Sequence, residues 1–342
     1  MMWFQIKIRL FLRRFHQKFL SDIKDKPIVI FLIVFIIICI LLPLRSPAGT
    51  GYNYLTFPEI RNDLVKCVNF SSTSTHLQCP SIPDNLGSFT KVQKVVNETL
   101  LRTLSKRLEI RPGGLWHPQH CQPLYKVAII VPYRNREHHL KLFLQHMHLF
   151  LQAQLLDYGI FIVEQSEKHD FNRGKLFNIG FIEALKLYDY CCFVFHDVDL
   201  LPENPQHIYS CSKQPRHMCS ALDTFRYVLP YKDIFGGVVA FSKEQFIKIN
   251  GYSNNFFGWG GEDDDLADRL KSKELEITRW EPKISQFTMI FHNKAVPNPE
   301  RFNLLKYGKE RFEKDGLNSL HYKVLKLELK NLYTRIVVDV KP

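Results

Sequence analysis

Val127-Ala128-Ile129-Ile130-Val131-Pro132-Tyr133-Arg134-Asn135-Arg136 is the stretch that decides the fold. Five apolar residues run without a polar break and stop at a proline, the pattern of a strand buried on both faces of a parallel sheet. Outward from it, Arg134 to Gln154 repeats Leu, Phe and Met at helical spacing, and Ile160–Val163 is a second apolar run. Leu176 to Leu187 repeats the helical pattern, and Cys191 to Phe195 is a third run that leads into Asp197-Val198-Asp199. Strand and helix alternate, which predicts a Rossmann-like α/β sheet with its ligand site at the carboxyl ends of the strands. No GxGxxG follows the first strand and no internal repeat is visible, so a dinucleotide-binding reading lacks support.

At 342 residues the chain holds one large or two ordinary domains. From Pro27 to Leu44 only Cys39 and two prolines interrupt Ile, Val, Leu and Phe. As a helix that run spans about 27 Å at ~1.5 Å per residue, enough for a thin bilayer. Ahead of it stand Lys7, Arg9, Arg13, Arg14, Lys18, Lys24 and Lys26 against Asp22 and Asp25. The positive-inside rule then predicts a cytoplasmic tail at 1–26, a signal-anchor at 27–44 and a lumenal remainder. A cleaved signal peptide is the alternative, but the run is long for one and no small-residue cleavage site follows. A buried core helix fits poorly, because the run is apolar on every face. Residues 45–78 are rich in Ser, Thr, Pro and Asn and read as a stem, leaving 79–342 as the lumenal domain. Asn69-Phe70-Ser71 and Asn97-Glu98-Thr99 are glycosylation sequons that fit this topology. The tail carries seven basic against two acidic side chains, +5 of the formal +12, so charge gives little support for a nucleic-acid partner. Of eight cysteines, Cys39 lies in the apolar run and seven remain without metal-type CxxC pairs. Disulfides plus at least one free thiol are expected, and a zinc site is not.

The chemistry concentrates in Gly258-Trp259-Gly260-Gly261-Glu262-Asp263-Asp264-Asp265, with three glycines, one large aromatic and four adjacent carboxylates. Such acids stay ordered only when a cation, a helix N-terminus or a hydroxyl-rich ligand offsets their repulsion. The glycines let backbone approach a ligand, and the indole offers a face for a sugar ring. The plainer alternative is a solvated acidic turn that caps a helix beginning near Leu266. Asp197 and Asp199, two apart on an extended segment, should point to one side and jointly face a ligand and a cation. A divalent ion there could bridge a diphosphate and neutralise a departing nucleotide. Arg134, Arg136 and Arg173 supply positive charge for phosphates, with surface ion pairs as the alternative. His292, after Met289-Ile290-Phe291, is either a metal ligand or simply packed. His138, His139, His146 and His148 read as helix-surface residues and form no HExxH motif. Sugar transfer from a nucleotide donor needs a base, a cation for the leaving diphosphate and a water-poor pocket. The octapeptide supplies base candidates and the Asp-x-Asp a cation site.

Pro132-Tyr133-Arg134-Asn135-Arg136, Phe171-Asn172-Arg173, Phe195 to Asp199, Phe235-Gly236-Gly237, Gly258 to Asp265 and Pro297 to Phe302 occur in this order. Together they resemble the β-1,4-galactosyltransferase family from about Cys79 to the C-terminus. The resemblance implies a GT-A fold on a single-pass type II Golgi membrane protein, with Mn2+ as cofactor and inversion at the transferred sugar. It implies metal binding by Asp199, Met289 and His292, although a thioether is an unusual partner for hard manganese. By the same resemblance Asp263 is the catalytic base, Glu262 and Trp259 shape the donor and acceptor sites, and Asp264 helps hold the acceptor with Tyr231, Gly260 and Gly261. Pro132, Tyr133, Arg134, Arg136, Phe171, Arg173, Asp197 and Val198 would line the nucleotide site. Arg301, Phe302 and Leu305 would receive the N-acetyl group of an acceptor N-acetylglucosamine, on a loop that orders when donor and metal bind. Disulfides Cys79–Cys121 and Cys192–Cys211 are implied by matching positions.

Departures from the family pattern bear on substrate. Where vertebrate members carry a tyrosine that crowds the donor's C2 substituent, this chain has Ile234, as in invertebrate members that transfer N-acetylgalactosamine. The smaller side chain should admit an N-acetyl group, so UDP-GalNAc is the expected donor and UDP-galactose the alternative. Thr224 stands where the family has a lysine, and the segment between His292 and Pro297 is shorter. The remaining rival of another class is a membrane-anchored glycan-binding protein without turnover. A helper subunit or homodimer is left open.

Overall fold

In a computed structural model, the described residues are 31, 34–37, 52–67, 77–87, 89, 92–166, 168–293 and 295–340. Two units divide the chain. In Met1–Tyr52, residues 31 and 34–37 are helical. The second unit, Asn53–Pro342, carries the rest. In chain order its strands are β1 (Tyr54–Leu55), β2 (Leu115–Trp116), β3 (Lys126–Tyr133), β4 (Asp157–Gln165), β5 (Cys192–His196) and β6 (Leu200–Pro202). They continue with β7 (Arg216–His217), β8 (Ala221–Leu222), β9 (Val238–Ser242), β10 (Arg279–Trp280), β11 (Gln286–Met289), β12 (Lys323–Leu329) and β13 (Thr334–Asp339). The helices are α1 (Phe57–Asp63), α2 (Glu98–Arg107), α3 (Glu137–Ala153), α4 (Arg173–Leu187), α5 (Lys243–Lys248), α6 (Glu262–Ser272) and α7 (Arg301–Lys306).

The main sheet runs β12-β13-β4-β3-β5-β9-β7, with β2 paired to β4 off that path. β13, β4, β3 and β5 are mutually parallel, while β12, β9 and β7 pair antiparallel with their neighbours. The two-residue period of a strand explains why the apolar runs are continuous. Val127, Ile129 and Val131 enter one core cluster, whereas Ala128 and Ile130 enter the other. Helix α3 packs Phe143, Met147 and Leu151 into the first cluster, and α4 packs Leu176, Phe177 and Phe181 into the second. A Cβ on Gly180 would overlap the Ile130 side chain, so α4 lies close against β3 only because that residue is glycine. A second sheet, β6-β11-β8, stands beside the ends of the parallel strands. It carries the segment that leads to His292.

Several expectations change. Part of the segment read as stem is packed structure: β1 pairs in parallel with β10, and Ile60 and Leu64 join the core. Ile60 and Leu64, four apart, form one helical face that the polar composition around them hides. The expected helix from Arg134 starts at Glu137, because Asn135 adopts φ +52 and breaks the approach. His148 is not on the surface: it is fully buried, with Nδ1 against the Tyr158 hydroxyl and Nε2 against the Leu332 carbonyl, both at 2.8 Å. The pairs Cys79–Cys121 and Cys192–Cys211 are formed, and a third joins Cys67 to Cys191. Cys219 is a buried free thiol. The expected anchor at 27–44 falls mostly outside the described residues, as does Asn69. Among the described residues no helix is long and apolar enough to cross a membrane. Asn97 is exposed and caps α2, its side chain accepting from the Leu100 amide.

Candidate active site

The carboxyl ends of β3, β4 and β5 converge as α/β geometry requires, but the Asp-x-Asp does not stay extended. The strand ends at His196 and the chain turns through Val198 and Asp199. The two carboxylates take different partners. Asp197 Oδ1 meets Arg173 Nε at 2.6 Å, and Asp199 Oδ2 meets His292 Nδ1 at 2.9 Å.

Arg173 opens α4, where Asn172 caps the helix by accepting from the Lys175 amide. Its guanidinium is largely buried and fully committed: Nε to Asp197, Nη1 to Glu262 Oε1 at 3.3 Å, and Nη2 to the Gly237 carbonyl at 3.3 Å. It also lies 4.6 Å from the centre of the Phe177 ring. Burial pushes the carboxyl of Asp197 up to about 6 and that of Glu262 up to about 7, while the Arg173 charge works against both shifts. Arg173 thus holds two acids in place. Arg134 is placed otherwise: its Nη1 donates to the His169 carbonyl at 2.7 Å and its cation lies over Phe171. It lines a shallow cleft of about 530 Å³ with Asn135, Lys168, His169 and Asp170. Arg136 is near enough to His292 to oppose its protonation. Tyr133 and Phe171 are half-buried, while Pro132 and Val198 are buried.

β11 runs antiparallel to β6, which sets Met289 opposite Leu200 and beside Asp199. The Ile290 amide donates to the Asp199 carbonyl at 2.7 Å, so His292 arrives within reach of the same carboxylate. Asp223 Oδ1 accepts from the Met289 amide at 3.0 Å, and the Thr224 hydroxyl lies 4.0 Å from the Met289 sulfur. Asp199 raises the pKa of His292, chiefly through their hydrogen bond. A carboxylate and an imidazole are therefore paired here, with Met289 on the strand that leads to them, and oxygen and nitrogen donors of this kind are compatible with a divalent cation that replaces the imidazole proton. Among the described residues no three His, Cys, Asp or Glu side chains gather in this way.

The octapeptide is the turn into α6. Gly258, Gly260 and Gly261 have φ of +85, +102 and +95, the left-handed conformation that glycine adopts without strain. Gly261 caps the helix and the four acids form its first turn, where the helix dipole favours negative charge. The plainer reading is therefore half right, but the four acids have separate fates. Glu262 goes to Arg173. Asp263 sits over Gly236, where a Cβ would overlap its carboxylate. Asp264 Oδ1 accepts from the Tyr231 hydroxyl at 2.9 Å, and burial raises its pKa. Asp265 is buried and paired with Arg269 at 2.7 Å, a purely internal contact.

Trp259 is 57% exposed, and its carbonyl accepts from the Asn298 amide at 3.0 Å. Arg301 reaches over Gly260 and Gly261, donates to the Asn298 carbonyl at 3.1 Å and stacks on Phe302, which is 65% exposed. Leu305 is half-buried on the same helix, and Ile234 is half-buried on the loop ahead of β9. Sequence reasoning missed Asp223 and the seat that Gly236 provides. The adjacent Gly236-Gly237 pair was the available signal for the second.

A model of the N-terminal region of glycosyl transferase group 7 matches residues 79–212, and one of the N-terminal domain of galactosyltransferase matches residues 216–293. β-1,4-galactosyltransferase 1 of Mus musculus is 51% identical over 238 residues, 69% of this chain and 60% of its own length. β-1,4-galactosyltransferase 6 of Rattus norvegicus is 44% identical over 310 residues, 87% of this chain and 81% of that one. The Drosophila β-1,4-galactosyltransferase 7 variant solved with manganese, UDP-Gal and xylobiose superposes with a TM-score of 0.55 at 28% identity, over 64% of this chain and 95% of that one. The two family models together take in β3, β4 and β5, the Asp-x-Asp turn, Met289 and His292. The chain belongs to the β-1,4-galactosyltransferase family.

Proposed function

We propose that the chain transfers N-acetylgalactosamine from UDP-GalNAc, in β-1,4 linkage and with inversion, to a terminal N-acetylglucosamine on glycolipid or glycoprotein glycans. One observation carries the reading. The Arg173 fork joins Asp197, two residues from Asp199, to Glu262, next to Asp263, which supports treating the proposed cation site and the proposed base as one site. Asp263 takes the proton of the acceptor hydroxyl as that oxygen bonds to the anomeric carbon, on the face opposite the diphosphate. The bond from anomeric carbon to diphosphate oxygen breaks, and its electron pair leaves with UDP. Asp199, Met289 and His292 would hold manganese, whose charge offsets that of the leaving diphosphate when bound. Arg134 and Arg136 neutralise more of it, Asp264 and Tyr231 orient the acceptor, and Trp259 and Phe302 cover it.

Ile234 is the basis for the donor. It lies two residues before Gly236 and so borders the seat of Asp263. UDP-galactose is the second reading, favoured by the names of the relatives. The chain is further proposed to sit in the Golgi membrane through residues 27–44 with its catalytic unit in the lumen, where three disulfides suit an oxidising compartment. Asp263→Asn tests the catalytic assignment: kcat for manganese-dependent transfer should fall by about 10²–10⁴-fold. Transfer undiminished in that variant would sink it.

A further inference from the structure

Lys232 to Gly237 runs as irregular backbone before β9 and carries both Ile234 and the Gly236 seat of Asp263. Such a segment offers carbonyls with no ladder partner, and here one buried arginine takes two of them. Arg279 Nη2 donates to the Lys232 and Ile234 carbonyls at 3.0 and 2.8 Å. Its Nε donates to His217 Nδ1 at 3.2 Å, and His217 Nε2 lies 3.1 Å from the Gly236 carbonyl. Both side chains are buried. Guanidinium can only donate, so Nδ1 must accept, and a carbonyl can only accept, so Nε2 must carry the proton. The imidazole is thereby fixed as one neutral tautomer that reads Arg279 on one side and Gly236 on the other. Burial and the adjacent guanidinium both disfavour a charged ring, which keeps the relay in this form. Cys219 completes the clamp: its thiol donates to the Gly236 carbonyl at 3.3 Å, and its sulfur accepts from the Val238 amide at 3.1 Å.

We propose that Arg279 and His217 are positioning residues that set the Lys232–Gly237 loop, and through it both the placement of Asp263 and the donor choice made at Ile234. The inference rests on the proposed roles of Asp263 and Ile234. Both relay side chains are buried, so their route to the site runs through the loop. The relay's distinguishing property is dependence on a hydrogen-bonding pattern, which a ring of the same shape without nitrogen cannot supply.

The test compares His217→Phe with His217→Gln in the full chain. Phe keeps the volume and breaks the relay, while Gln keeps a donor near Nε2 and an acceptor near Nδ1. Hydrogen exchange over residues 232–242 should quicken in the Phe variant. Its kcat should fall about tenfold, the kinetic equivalent of one lost hydrogen bond, and its preference between UDP-GalNAc and UDP-galactose should narrow. The Gln variant should recover most of both. Unchanged exchange in His217→Phe would overturn the relay, and faster exchange with unchanged kcat and donor ratio would overturn its link to the site. Equal losses in both variants that follow their thermal midpoints would overturn it as well. Failure of the underlying functional reading shows up separately, as turnover in Asp263→Asn, and leaves the exchange comparison standing.

Discussion

The two sides of the site are built from opposite materials. Asp197 and Asp199 follow the end of a strand buried on both faces, Arg173 opens the helix α4, and its guanidinium has three partners within 3.3 Å. Across from them, Trp259 and Phe302 are exposed on backbone that turns through three left-handed glycines and one short helix. The first side can present a preorganised field to a nucleotide diphosphate. The second can close over an acceptor. The difference is between charge already fixed by partners inside the fold and aromatic faces still open to solvent.

Substitutions should affect the two sides differently. On the buried side, Arg173→Met leaves the carboxylates of Asp197 and Glu262 unpaired and should destabilise the fold by about 3–5 kcal/mol, read by denaturant unfolding. A loss under about 1 kcal/mol would mean that the fork is not a structural hub.

The scaffold under that side makes a pH-dependent prediction. Burial lowers His148 to about 4 against an ordinary value of 6.5, so the unfolded chain takes up its proton first as pH falls. The stability it contributes is fully present above pH 6.5 and is lost as pH drops toward 4. The stability advantage of the wild type over His148→Gln should therefore shrink between pH 7 and pH 5, on the order of 1–2 kcal/mol. Differencing against the variant removes the opposite trend from the raised carboxyls of Asp197 and Glu262. A constant advantage would refute the neutral buried imidazole.

On the open side, Trp259→Ala should leave stability within about 0.5 kcal/mol, as for exposed positions generally. KM should rise severalfold for acceptor and donor alike. A large loss of stability would place Trp259 in the scaffold instead.

Legibility in the sequence followed the same division. The β3, β4 and β5 runs announce themselves because each buries both faces, and their alternation gave the architecture. His148 was misread by residue type, although its spacing from Leu144 and Leu151 put it on the buried face of α3. Cys67–Cys191 spans 124 residues, and no local pattern encodes so distant a pairing. The separate partners of Asp197 and Asp199 follow from a turn that begins immediately after Asp197, a boundary that composition does not mark. Of the four acids in the octapeptide, residue type and spacing alone do not separate Asp263 from Asp265, and only the family resemblance singles out Asp263. Their difference is made by Gly236 and Arg269, which belong to other parts of the fold or the next helical turn.

The central claim is that this site transfers N-acetylgalactosamine because Ile234 leaves room at the donor's C2 position. The direct measurement is kcat/KM for UDP-GalNAc and UDP-galactose with one N-acetylglucosamine-terminated acceptor and manganese, in wild type and Ile234→Tyr. The predicted result is a wild-type preference for UDP-GalNAc of about tenfold or more, shifted toward galactose by the tyrosine. A strong wild-type preference for UDP-galactose would contradict it.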